Sequence, residues 1–390
     1  MVSRRSVLAG MGATAIAQLL SACSGTGKEK LTVRLLKDSI PVQLLPAFRR
    51  DQSQQVKLNF KAETQLKSLL KLLEDIQKQN QSPSQEKPWW QLPRVRSSSS
   101  INLVTLGDYW LKSAIQKELI QPLPLEKLST WQNLPSQWQS LVRRDNQGEL
   151  AENGEIWGAP YRWGATVIAY DAKQFKAQGW EPPRDWSDLW EREEFRHQFS
   201  LLDQPREVIG LTLKKLGKSY NTEDLNQVPN LKAELIELNK RVKFYSSDAY
   251  LQPLILKDTA LAVGWSTEIF DIQKSYPHIK AVMPASGSAL WTDLWVQPAS
   301  SNEETESKTL IDWIDFCWQE KSAEAISLLT GSPSPLANFS QPDLPTAIQD
   351  NPLIAIASEV LEKSDFLEPL PETTIKQYQD FWEEVRQNVL

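Results

Sequence analysis

The stretch Ile101-Asn-Leu-Val-Thr-Leu106, passing through Gly107-Asp108 into Tyr109-Trp-Leu-Lys-Ser-Ala-Ile-Gln-Lys-Glu-Leu119, carries the first decision about the fold. Its opening is a short apolar run that suits a buried strand. The Gly-Asp pair then hands the chain to a segment whose apolar residues recur at helical spacing, predicting a helix from Tyr109 to Leu119. Upstream, Leu31-Thr-Val-Arg-Leu-Leu36 reads as another strand, and Leu66, Leu69, Leu70, Leu73 and Ile76 form one face of a helix. Strand, helix, strand, helix predicts an α/β protein with a parallel sheet covered on both faces. Residues 78–100, rich in Gln, Ser and Pro and containing Trp89-Trp90, read as an inserted loop.

Downstream, Glu155–Pro160 and Ala165–Tyr170 read as two strands separated by Tyr161-Arg-Trp-Gly164. A helix from Arg206 to Leu216 stops at Gly217, and Ala260–Val263 continues through Gly264 to Trp265 before a helix capped by Ser266 or Thr267. Leu310, Trp313, Ile314 and Cys317 share a helix face, which makes Cys317 a core thiol. Ile375, Tyr378, Trp382, Val385 and Val389 form a stripe on a last helix that should pack onto the body of the protein.

At 390 residues, two domains are expected. Apolar residues at 41% and charged residues at 24% exclude a disordered chain, and a net charge of −6 argues against nucleic acid as a partner. Two cysteines and two histidines leave no disulfide scaffold and no metal centre. No cofactor is expected either: there is no glycine-rich phosphate loop and no nucleophile elbow, so an exported enzyme is the weaker reading.

The N-terminus reads as an address. Paired Arg4-Arg5 precede an apolar stretch, Val7 to Leu20, too short to span a bilayer, that ends in Leu20-Ser-Ala-Cys23. This matches a bacterial lipobox, with Cys23 as the lipidated residue, residues 1–22 as signal peptide and 23–30 as a tether. The arginine pair resembles a twin-arginine export signal, with Val7 where that signal prefers Phe. Removing Arg4 and Arg5 makes the mature chain more acidic still.

Three motifs, Gly158-Ala-Pro-Tyr-Arg-Trp-Gly-Ala-Thr-Val-Ile-Ala-Tyr170, Arg206-Glu-Val-Ile-Gly-Leu-Thr-Leu-Lys-Lys-Leu-Gly217 and Trp291-Thr-Asp293, resemble in order and spacing the spermidine/putrescine-binding proteins of bacterial ABC importers. The resemblance runs from about Leu31 to the C-terminus, residues 78–100 excluded. It implies a two-lobed periplasmic binding protein of type II, with the ligand in the cleft between lobes. Lobe I would hold residues 31–161 and 291–335, lobe II residues 162–290 and 336–390, with hinges near Tyr161–Gly164 and Ala289–Trp291. The expected partners are a cationic small molecule, permease subunits with their ATPase, and the membrane through Cys23. The protein would work as a monomer on the periplasmic side of the membrane.

The residues support a cation site on their own chemistry. Tyr109, Glu207 and Trp265 follow strand ends, where open α/β sheets gather ligands. Trp291 and Asp293, two apart on a strand, put an indole and a carboxylate on one face, a pairing suited to an alkylammonium. Glu207 is equally readable as a first-turn helix carboxylate; the resemblance favours ligand contact, because the matching glutamate meets the amine. Asp108 reads as an N-cap. Tyr109, Trp163 and Trp265 complete the expected aromatic set. Gln204 and Ser332 are counted with the ligand-binding residues, although the family has an aspartate and a tyrosine there. Leu36 and Ser39 replace cleft aromatics, and Arg162 adds a cation at a position expected to be uncharged. These departures favour an amine shorter than spermidine or of different shape. The alternatives are a different small solute on the same fold and a surface interaction lipoprotein.

Overall fold

The computed structural model describes residues 29–52, 56–81, 101–299, 308–336, 351, 353–354 and 356–387. The expected signal peptide, Cys23, the Trp89-Trp90 pair and Val389 lie outside the described residues.

Among the described residues eleven strands form one continuous mixed sheet. Its main path runs Val56–Glu63, Glu29–Leu36, Leu103–Gly107, Ala289–Pro298, Ala159–Asp171, Leu261–Trp265, Phe199–Leu201, Phe244–Tyr245. The first three strands are parallel to one another and so are the last three. Between them two long strands, Ala159–Asp171 and Ala289–Pro298, run antiparallel to each other and to their outer neighbours. This is the α/β architecture expected from the alternating patterns, with helices packed over the sheet. The first strand begins at Glu29, so Glu29 and Lys30 belong to the sheet rather than to a tether. Likewise the helix Leu66–Gln81 runs into the first residues of the expected insert.

Ala159–Asp171 corrects the expectation of two separate strands. Tyr161 to Gly164 stay in the ladder, because Arg162, Trp163 and Gly164 pair with Asp293, Thr292 and Trp291. The register shifts at Asp293/Leu294, whose partners are Arg162 and Pro160, leaving Tyr161 as the extra residue of a bulge. Tyr161 uses this position to stack on Trp295 at 4.2 Å and to share a hydrogen bond with the Thr105 hydroxyl at 3.1 Å. Almost every residue of the strand is buried. Burial on both faces accounts for the lack of a clean alternation in the sequence.

Two apolar clusters flank this strand. One gathers Leu31, Val33, Leu103, Leu106, Trp295, Trp313 and Ile314 with Trp163 and Val167; the other gathers Ile168, Phe199, Leu201, Val208, Leu211, Leu235 and Leu238. The helix Lys308–Trp318 buries Leu310, Trp313, Ile314 and Cys317 as its spacing predicts. The helix Glu372–Gln387 closes the second cluster with Tyr378, Trp382 and Val385, while Ile375 remains exposed beyond the stripe.

Candidate ligand-binding site

Strand parity assembles the site. Arg162, Gly164 and Thr166 alternate along Ala159–Asp171 and face one side of the sheet, whereas Trp163 faces the other. Directly paired residues on antiparallel strands share a face. Asp293 therefore joins Arg162, Trp291 joins Gly164, and Trp265 joins Thr166. The row from Arg162 to Thr166 spans roughly 13 Å at the usual strand rise. Gly164 is required here: a side chain would overlap the Trp291 indole and come within 2.8 Å of the Ser266 hydroxyl.

One end of the row is centred on Glu207. It stands in the first turn of the helix Pro205–Lys215 and is buried. Its carboxylate accepts from the Thr166 hydroxyl at 2.9 Å, and the Trp265 indole lies close enough to favour its charged form. Desolvation pushes its pKa above the ordinary carboxylate range, while Thr166, Trp265 and the nearby Arg206 charge act in the opposite direction. Among the described residues no Lys or Arg forms an ion pair with it. Trp265 is held from behind: its backbone N–H donates to the Tyr250 hydroxyl at 3.1 Å, and that hydroxyl donates to Glu268 at 2.8 Å. Gly264 makes room for the Tyr250 ring.

The other end is already occupied by the protein's own cation. Arg162 Nε donates to Asp293 Oδ2 at 2.7 Å, and the guanidinium carbon lies 5.8 Å from the Trp291 ring centre. The Arg162 and Asp293 side chains are only 7% and 1% exposed. Burial raises the Asp293 carboxyl, and Arg162 opposes that rise. Desolvation is the largest influence on Arg162 and works against its charge, but Asp293 and Tyr161 together turn the net shift upward. Asp108 lies beside this cluster, its Oδ1 accepting from the Thr292 backbone N–H at 3.0 Å. Burial first, and then the Asp293 charge, push Asp108 up to about 7 against its backbone hydrogen bonds.

The structure thus sorts the expected residues. Glu207 and Trp265 meet directly, and Trp291 lies farther along the same face. Tyr109 is 42% exposed on the turn after Leu103–Gly107, close enough to Arg206 for the two to interact electrostatically. Gln204 occupies the N-cap position of the Glu207 helix with no side-chain cap bond. Trp163 departs from expectation: it is buried, 5.4 Å from Trp138 between ring centres, because its parity is opposite to that of the site. Ser332 is also buried and lies 3.5 Å from Arg162 Nη1, so it belongs with the internal cation. Asp293, expected to receive the ligand, holds Arg162. Asp108 is no N-cap; Gly107 stands there, before a short 3-10 turn over Asp108–Trp110 and a helix Leu111–Gln116. Ser266 does not cap its helix either, and its hydroxyl instead accepts from the Ala165 backbone N–H at 3.2 Å. Thr166 and Asp108 were not assigned to the site from sequence; the even-numbered alternation around Gly164 was the available signal for Thr166.

Among the described residues there is no group of three or more His, Cys, Asp or Glu side chains placed to hold a metal. No helix there is long and apolar enough to cross a membrane.

Residues 91–363 match the family model described as bacterial extracellular solute-binding protein. The chain is 24% identical over 328 residues to spermidine/putrescine-binding periplasmic protein 1 of Haemophilus influenzae, covering 84% of both chains. Its fold is similar to that of the spermidine/putrescine ABC transporter substrate-binding protein of Streptococcus pneumoniae, with a TM-score of 0.73 at 20% identity over 92% of this chain and 99% of that one. The TpPotD lipoprotein of Treponema pallidum aligns with a TM-score of 0.64 at 17% identity, over 92% and 99% of the two chains.

Proposed function

From the premise that this chain belongs to the bacterial extracellular solute-binding proteins, and so is a binding protein and not an enzyme, we propose that it is the lipid-anchored receptor of an ABC importer. It captures a cationic amine on the periplasmic side of the membrane and delivers it to the permease.

One observation carries the choice of ligand: Glu207 is a buried carboxylate beside an indole, held by neutral donors and lacking an ion-pair partner among the described residues. Removing a carboxylate from water is costly unless it is paired, and a ligand ammonium with an apolar stem supplies both the charge and a group to lie on Trp265. The polyamine-binding relatives support the same class. The Treponema pallidum lipoprotein supports anchoring, which in this chain would be through Cys23.

In this reading the ligand lies between two lobes divided as the sequence suggests, and the two long antiparallel strands carry the hinges. Closure over the ligand then presents the permease with a surface that the empty receptor lacks.

A calorimetric and thermal-shift screen of monoamines, diamines, polyamines, amino acids, sugars and anions tests the proposal. Saturable binding of an amine supports it. Saturable binding confined to anions or neutral solutes overturns it.

A further inference from the structure

We propose that Arg162 determines specificity by acting as a built-in occupant of one cation position. With the Asp293 and Trp291 end filled, Glu207 is, among the described residues, the carboxylate left unpaired along the row from Arg162 to Thr166, and the site selects an amine with one cationic head over diamines and longer polyamines. The inference deepens the amine-receptor reading and rests on it.

The geometry of Arg162 reproduces what a ligand ammonium would find. Its guanidinium donates to a buried carboxylate at 2.7 Å and lies 5.8 Å from the centre of an indole ring. The fold makes room for this arrangement twice. The bulge at Tyr161 sets the register that brings Arg162 opposite Asp293, and Gly164 allows Trp291 to lie across the strand. Ser332, at 3.5 Å from Nη1, is small enough to leave space beside the guanidinium. A second ligand ammonium directed along the row from Glu207 would meet a fixed positive charge whose carboxylate is already engaged. Displacing Arg162 would leave one buried charge unpaired, which is strongly unfavourable. A ligand with one cationic end encounters neither difficulty.

Calorimetry on the full chain with n-butylamine, putrescine and spermidine tests this. The wild-type protein should bind putrescine and spermidine no more tightly than n-butylamine. Arg162→Met removes the internal cation at similar length, frees Asp293 and Trp291, and should raise the putrescine affinity relative to n-butylamine by at least about tenfold through a new charge-assisted contact. The wild-type ratio keeps the test decisive even if Arg162→Met fails to fold. Putrescine binding the wild type tenfold or more above n-butylamine would overturn the inference and leave the amine receptor standing; so would a folded Arg162→Met protein with an unchanged ratio. Absence of saturable binding by all three amines in the wild type would overturn the amine-receptor reading itself.

Discussion

Asp108→Asn should stabilise the protein in a pH-dependent way. The wild-type carboxyl is buried and has a pKa of about 7 against an ordinary value of 3.8, so the folded state holds its proton more tightly than the unfolded state does. Between those two values the folded form binds more protons, and stability falls as pH rises; above about 7 the loss levels off. At about 1.4 kcal/mol per pH unit, the cost is roughly 1.5 kcal/mol at pH 5 and about 4 kcal/mol at pH 8, an order-of-magnitude expectation. Asparagine keeps an oxygen to accept the Thr292 N–H and removes the titration. Urea unfolding of both proteins at pH 5 and pH 8 should show the advantage of the variant widening by about 2.5 kcal/mol across that interval. An equal difference at both pH values, or a variant less stable at pH 8, would refute the reasoning that desolvation of Asp108 governs its contribution.

Cys23→Ala should abolish lipid modification and membrane retention, read by mass spectrometry and fractionation; unchanged mass and retention would contradict anchoring at that residue. Gly164→Ala should push the Trp291 indole from its seat and lower the melting temperature; a variant with wild-type melting would show that the strand absorbs the methyl group freely. Saturation with a bound amine should reduce the radius of gyration measured by small-angle scattering as the lobes close, and identical curves with and without ligand would count against the hinge.

Much of this architecture was readable from apolar spacing. The Leu66–Ile76 face, the buried Leu310–Cys317 stripe and the strand before Gly107 all follow periodicities that burial enforces. The central strand was harder, because Tyr161-Arg-Trp-Gly164 contains a charge and a glycine and looks like punctuation. Only cross-strand pairing reveals that Gly164 makes space for Trp291 and that Arg162 answers Asp293. The same limit affected the site. Trp163 carries a plausible side chain with the wrong parity, and Asp293 carries suitable chemistry whose partner lies 131 residues earlier in the chain. Glu207 was ambiguous in sequence between a helix-end carboxylate and a ligand contact. Its bond to Thr166, 41 residues earlier in the chain, directs it away from its own helix.

The central claim is that the Glu207 carboxylate receives the ligand cation, and calorimetric titration of n-butylamine into wild type and Glu207→Gln measures it most directly. The substitution removes the charge with little change of shape, so a charge-assisted hydrogen bond worth about 1.5 to 3 kcal/mol is lost and affinity should fall at least about tenfold. The ligand-free variant should melt no lower than wild type, because burial disfavours the wild-type charge. Unchanged n-butylamine affinity in a correctly folded Glu207→Gln protein would contradict the claim and leave the carboxylate with a structural role alone.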